Sequence, residues 1–211
     1  MTRVFALAVA YSLISAPAVA DDWNEIGDAP PLIPGQIVVG PPKIDVDFIH
    51  GSFFGADDVD LYQIFIHRPD NFIASTVDGT DADTQLFLFD INGNGVTFND
   101  DNVFPGRGLQ SRITGQFLKD PGIYYLAITQ YNNDALNPDG DLIWNNTPFR
   151  AERQPDGPGA PGPLNSWTVS NLGGEFSYSI ELSGVHFIPA PGALVLLGLG
   201  ALAQRRRRRS A

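Results

Sequence analysis

From Ile44 onward the chain is written in short runs that alternate apolar and polar residues. Ile44-Asp45-Val46-Asp47-Phe48 alternates cleanly, and between Asp60 and Ile66 the side chains of Tyr62, Ile64 and Ile66 fall on one face. Phe72 to Val77 and Leu86 to Phe89 are further runs rich in aromatic and β-branched residues, and Phe176, Tyr178, Ile180 and Leu182 alternate with Ser177, Ser179 and Glu181. Successive side chains of a strand point to opposite faces, so a period of two predicts strands with one buried face. Ile123 to Ile128 is apolar on both faces, as a central strand would be. Gly, Asn and Asp punctuate these runs, and between the terminal segments no stretch keeps helical periodicity over three turns. Short strands at regular spacing predict an all-β fold, an antiparallel β-sandwich.

Two stretches break the rhythm. Residues 21–43 hold Pro30, Pro31, Pro34, Pro41 and Pro42, which remove backbone donors and restrict φ. They read as an extended leader with at most one short strand, Gln36 to Val39. Residues 134–166 hold Asn137-Pro138-Asp139-Gly140-Asp141 and then Pro155, Pro158, Pro161 and Pro163 among glycines. A loop of that length is expected to be a surface insertion or a functional excursion. Trp144, Phe149 and Trp167 either pin it to the sandwich or, if exposed, offer rings for stacking on a sugar; the pattern leaves both open.

The two ends are apolar with basic borders. Arg3 precedes the apolar run Val4 to Ile14, and Ala18-Val19-Ala20 supplies the small residues of a signal-peptidase site. Together they predict a cleaved secretory signal peptide over residues 1–20. At the other end Pro189-Ala190-Pro191 leads into an uncharged apolar segment, then Gln204 and Arg205, Arg206, Arg207, Arg208 and Arg209. As a helix the apolar part would span about 22 Å against a hydrocarbon core of about 30 Å. That makes a short transmembrane segment with arginines held on the cytoplasmic side. This tail resembles the PEP-CTERM protein-sorting signal of Gram-negative bacteria, with Ala190 in place of the usual central Glu. The resemblance covers about a tenth of the chain. It implies removal of residues 187–211 near the motif by an exosortase, a membrane-embedded cysteine transpeptidase, and contact with the membrane only before that step.

Charge sharpens this picture. The formal net charge is −11 with 24 acidic residues, and Arg3 and the five terminal arginines sit in the two export segments, so the body between them is more acidic still. Such a surface repels nucleic acid and anionic headgroups and favours cations, calcium among them. There is no cysteine, so in an oxidising compartment stability rests on the core and on any bound metal. About 165 residues between the signals suffice for one domain with a sizeable core.

The acids cluster. Asp58 and Asp60 open one strand, Asp90-Ile91-Asn92-Gly93-Asn94-Gly95 ends another, and Asn99-Asp100-Asp101 follows. Calcium takes six to eight oxygen ligands, which loops with oxygen side chains at alternate positions supply. Asp90, Asn92, Asn94 and Asp101 match places 1, 3, 5 and 12 of a D-x-N-x-N-G loop, although strands rather than helices flank it. Asn-Gly pairs are equally the mark of a hairpin turn. Metal candidates are therefore Asp58, Asp60, Asp90, Asn92, Asn94, Asp100 and Asp101.

Gly55 to Ile66, Asp83 to Asp90, Asn99 to Asp101 and Asp120 to Ile128 occur in an order that resembles the bacterial pre-peptidase C-terminal domain over residues 48–132. The resemblance implies a small jelly-roll-like β-sandwich, often calcium-binding, carried on exported proteins, with Asp58, Asp60 and the Asn99–Asp101 turn as its distinctive positions. The insertion after Asn133 departs from that compact pattern. The expected organisation is a signal peptide (1–20), a Pro-rich leader (21–43), a sandwich (44–186) and a sorting signal (187–211). His50, His67 and His186 are scattered without metalloprotease spacing, and neither a G-x-S-x-G elbow nor a cysteine nucleophile is present. The sequence is thus expected to encode a non-enzymatic exported protein whose partners are signal peptidase and exosortase. Binding of secreted polysaccharide through Trp144 and Trp167 is the alternative.

Overall fold

The computed structural model describes residues 21–103 and 108–190. Its core elements are β1 (Asp22–Asn24), β4 (Phe48–Phe53), β6 (Ile73–Ser75), β9 (Arg112–Thr114) and β13 (Phe176–Ser183), which form a five-stranded sheet in the order β1-β4-β13-β6-β9. Facing it is a six-stranded sheet of β5 (Val59–Ile66), β7 (Thr84–Phe89), β8 (Gly95–Asn99), β10 (Gly122–Gln130) and β14 (Val185–His186) in the order β14-β5-β10-β7-β8, with β2 (Gln36–Ile37) also on the outer edge of β5. The fold is all-β and sandwich-like. The alternation read from sequence explains the join: Tyr62, Ile64, Ile66, Leu88, Leu126 and Ile128 of one sheet meet Ile49, Phe53, Tyr178, Ile180 and Leu182 of the other, all buried.

The sheets are mixed rather than purely antiparallel. The long ladders β5–β10, β10–β7 and β4–β13 are antiparallel, but β1 runs parallel to β4 and β2 parallel to β5. A third parallel pair joins β3 (Val39–Gly40) to β15 (Ile188–Pro189). The parallel partners come from the proline-rich leader, which returns to the sandwich along its edges. That segment is packed, contrary to the extended leader expected: it contributes three short strands, and Trp23, Ala29 and Val38 are buried. The alternation at Ile44–Phe48 forms only an isolated bridge, Asp45 to His186, before β4 begins at Phe48.

A second apolar cluster covers the other face of the six-stranded sheet. Val59, Leu61, Phe87, Phe89, Phe98, Tyr125 and Ala127 point outward there, and Ala135, Ile143, Trp144 and Leu164 from residues 134–166 close over them. Trp144 stands edge-on to Phe87 and Phe89 at centroid distances of 5.6 Å, and its indole N–H donates to the Arg153 carbonyl at 3.2 Å. Burying a ring of that size, 150–250 Å² at about 25 cal/mol per Å², is worth roughly 4–6 kcal/mol. Trp167, in β12 (Ser166–Trp167) opposite β11 (Ala135–Leu136), packs on Phe87 at 5.2 Å and donates to the Pro31 carbonyl. The insertion is therefore a third layer, in which Trp144 is buried, while Trp167 at its end is half-buried. The glycines make this layer thin: a Cβ on Gly159 would lie 2.3 Å from the Asp141 carbonyl oxygen. No helix among the described residues is long and apolar enough to cross a membrane; the expected C-terminal helix lies outside the described residues.

Candidate cation sites at the sheet rim

Antiparallel pairing gathers the acidic residues. Val59 pairs with Thr129, Thr84 with Gln130, and Leu86 with Asn99, so the starts of β5 and β7 and the ends of β8 and β10 share one rim. Asp58 and Asp60, Asp83, Asp100 and Asp101, and Asp134 occupy those four strand ends. They fall into two groups.

The first group is built around Asp60, which is fully buried on the core-facing side of β5. Its Oδ2 accepts from the Tyr178 hydroxyl at 2.5 Å, and Tyr178 in turn shares a 2.5 Å hydrogen bond with the Tyr62 hydroxyl. Its Oδ1 is shielded from solvent and has no hydrogen-bond partner among the described residues. Carboxylate oxygens of Glu25, Asp28 and Asp60 lie within 4.8 Å of one another. Oxygens on opposite sides of a calcium ion with bonds of 2.3–2.6 Å stand about 5 Å apart, so the spacing fits such an ion. Glu25 is held in place by backbone donors, Ala29 N–H to Oε1 at 2.7 Å and Ser52 N–H to Oε2 at 3.1 Å. Asp58 accepts from Phe54 N–H at 2.5 Å and stands behind the group. An open cavity of about 410 Å³ lined by Glu25, Phe54 and Tyr178 borders it.

Electrostatics follow from this crowding. Burial pushes the Asp60 carboxyl up to about 9, against the Tyr178 hydrogen bond and with Glu25 and Asp58 adding to the rise. Burial likewise raises Asp58, with Asp28 and Glu25 contributing. With its carboxyl raised to about 9, Asp60 holds a proton at neutral pH when no cation is bound.

The second group is Asp83, Asp100 and Asp101, again with oxygens within 4.8 Å. Burial raises Asp100 to about 8, helped by Asp101 and Asp83, and raises Asp83 to about 6, helped by Asp101. One oxygen each of Asp83 and Asp100 is buried without a hydrogen bond among the described residues. Nearby Asp134 is also raised by burial, while its Oδ1 accepts from Gln85 Nε2 at 3.1 Å.

Among the sequence candidates, Asp58 and Asp60 thus belong to one group and Asp100 and Asp101 to the other. Asp90, Asn92 and Asn94 are elsewhere. They form the hairpin turn between β7 and β8, where Asp90 Oδ1 accepts from Asn92 N–H (2.8 Å) and Asn94 N–H (2.9 Å) and Oδ2 from the Asn94 amide (3.0 Å). The length of β8, about 13 Å at 3.3 Å per residue, separates that turn from Asp101, so the twelve-residue loop does not close on itself. Glu25, Asp28 and Asp83 are not among the sequence candidates. Glu25 and Asp28 sit in the leader, and only the β1–β4 pairing carries them to Asp60.

Elsewhere, His50 Nδ1 hydrogen-bonds Ser179 Oγ at 2.7 Å, with Asp22 3.6 Å from Nε2. That gap exceeds hydrogen-bond range, so the imidazole lacks the orienting acceptor of a nucleophilic triad. Of the sorting motif, Pro189 lies in β15 and Ala190 is exposed where strand pairing stops. Ala18, Ala20, Pro191 and Arg205 to Arg209 lie outside the described residues. Comparison with protein-family models and with curated proteins finds no match for this chain.

Proposed function

We propose that this chain is an exported, non-enzymatic β-sandwich protein of the cell surface or extracellular matrix, rigidified by calcium. In this reading the N-terminal signal peptide directs export. The C-terminal segment then serves as a short transmembrane helix and PEP-CTERM-like sorting signal until an exosortase removes it. The domain is a jelly-roll-like relative of pre-peptidase C-terminal domains, with its calcium held by Glu25, Asp28 and Asp60 and by the Asp83, Asp100 and Asp101 group.

The observation that carries the calcium part is Asp60: a fully buried carboxyl group with one oxygen unpartnered among the described residues, and with carboxylate oxygens of Glu25 and Asp28 within 4.8 Å of one of its own. Burial holds the carboxyl protonated because an unpaired buried charge is costly, and a divalent cation with oxygen ligands is the partner that would let it ionise. Export is supported by the basic–apolar patterns at both ends and the acidic body between them. The test has two arms. Calcium added to the chelated full chain, purified in detergent, should raise its melting temperature, and no rise would refute the calcium reading. In a Gram-negative host carrying an exosortase, an internally tagged copy should reach the exterior without its C-terminal tag; retention of that tag in the inner membrane would refute the sorting reading.

A further inference from the structure

Two histidines far apart in sequence meet face to face. The rings of His67 and His186 stack at a centroid distance of 3.4 Å with 11° between their planes. Both Nε2 atoms face the same oxygen, Asp45 Oδ1, at 3.1 Å from His67 and 2.9 Å from His186. Asp45 Oδ2 is held from the other side by Arg68 Nη2 at 3.3 Å, which leaves Oδ1 turned toward the imidazoles. His67 Nε2 is shielded from solvent, yet for all its closeness to Oδ1 it makes no hydrogen bond. Aromatic rings prefer offset or edge-on contacts to direct stacking, so this arrangement is costly and turning the rings apart relieves it.

The backbone brings the three residues together before any ligand arrives. His67 N–H and Arg68 N–H both donate to the Gly184 carbonyl, at 2.9 and 3.2 Å, and Val46 N–H donates to the Val185 carbonyl at 3.0 Å. Gly184 makes this approach possible: its φ is +75°, and a Cβ there would lie 2.7 Å from the Arg68 carbonyl oxygen. The end of β5, the β14 strand and the stretch ahead of β4 therefore converge on one point.

We propose that Asp45, His67 and His186 bind a first-row divalent transition-metal ion of the zinc type through Asp45 Oδ1, His67 Nε2 and His186 Nε2, leaving one position open to water. In a tetrahedral site with bonds of about 2.0–2.1 Å, neighbouring ligand atoms stand about 3.3 Å apart. The spacings of 2.9 and 3.1 Å are close to that edge, and all three ligand atoms lie within 4.8 Å of one another; the imidazole lone pairs lie in the ring planes, so the stacked rings swing apart about their side-chain torsions for one ion to meet both. Two imidazoles and one carboxylate select softer ions than the all-oxygen groups at the rim, so the site is chemically separate from the calcium reading. Side-chain exposures of 19% and 20% for the histidines and 47% for Asp45 leave the ion a route in and a face for water. Arg68 orients the carboxylate, the supporting role that metal sites give to a neighbour of their ligands. Bound there, the ion clasps the leader's junction with β4 to β14, one residue before β15.

The test uses the full chain without a polyhistidine tag, purified in detergent, chelated and freed of chelator. Cobalt(II) titration should give the intense visible bands of a four-coordinate nitrogen–oxygen site at one ion per chain, and zinc should displace them. His67→Gln and His186→Gln should each weaken cobalt binding about tenfold or more, while His50→Gln should leave it unchanged. Because the wild-type spectrum alone reports the ligands, the test survives a variant that fails to fold. Absence of those bands in the wild type, or zinc stabilisation that persists in the His67→Gln, His186→Gln double variant, overturns the proposal. Failure of calcium to bind leaves it standing.

Discussion

Replacing Asp60 by Asn separates the cost of the buried carboxyl from the rest of the fold. In the chelated protein the Asp60 carboxyl titrates near 9 when folded and near its ordinary 3.8 when unfolded. Between about pH 5 and pH 8 the folded state thus holds a proton that the unfolded state has lost. Stability is full at acidic pH and falls as pH rises, by about 1.4 kcal/mol per pH unit for one such group. Two units, from about pH 5.5 to 7.5, give a loss of up to about 2.7 kcal/mol, or about 5–11 °C in melting temperature for a chain of this size. Asp100, raised to about 8, acts with the same sign. Saturating calcium replaces the proton and should flatten the slope. Asp60→Asn keeps an acceptor for the Tyr178 hydroxyl but cannot ionise. In chelator it should melt above the wild type at pH 7.5, show a shallower pH slope, and gain less from calcium. Melting curves followed by circular dichroism at both pH values, with chelator and with calcium, measure all of this. A chelated wild type as stable at pH 7.5 as at 5.5, or an Asp60→Asn variant with the full calcium response, would refute the reasoning.

Three further outcomes can be checked. Trp144→Ala should cost about 3–5 kcal/mol in denaturant unfolding, because the third layer rests on that ring; a loss under about 1 kcal/mol would mean the insertion is not packed in solution. Gly159→Ala should destabilise by about 1–3 kcal/mol, since its methyl group would meet the Asp141 carbonyl at 2.3 Å, and an unchanged midpoint would contradict that contact. Tyr178→Phe strips Asp60 Oδ2 of its donor and should cost about 1–3 kcal/mol, the same amount at pH 5.5 and 7.5 in chelator because Asp60 keeps its proton at both; an unchanged unfolding midpoint would show that the hydroxyl does not serve the carboxyl.

The strands that the alternation made legible are those with one wet face or a central place. The period of two in β13 leaves Tyr178, Ile180 and Leu182 buried, and the two-faced run in β10 lies between β5 and β7. The same apolar runs also imply the third layer. Four consecutive apolar residues at Leu86–Phe89 and both faces of β10 require a cover on each side, and residues 134–166 were the available cover. Prolines and glycines there disguised a layer whose contacts are backbone-to-backbone, such as Gly157 N–H to the Ile143 carbonyl at 3.0 Å. The acidic rim was half legible. Strand ends rich in Asp could be read directly, but which ends meet depends on register, and register placed Asp101 beside Asp83 and away from Asp90. Glu25 and the paired histidines were invisible for the same reason: Glu25 is placed by the three-residue β1 and His186 by the two-residue β14, segments too short to show a period.

The β3–β15 pair sets how the molecule would carry a mechanical load. Tension applied at Ala190 enters through a two-residue parallel strand and reaches β14 and the Gly184 turn only after those few bonds give way. The chain would therefore lengthen by a short step before the sandwich interior feels any pull. A stretch experiment from that end should show a small early extension ahead of the main rupture.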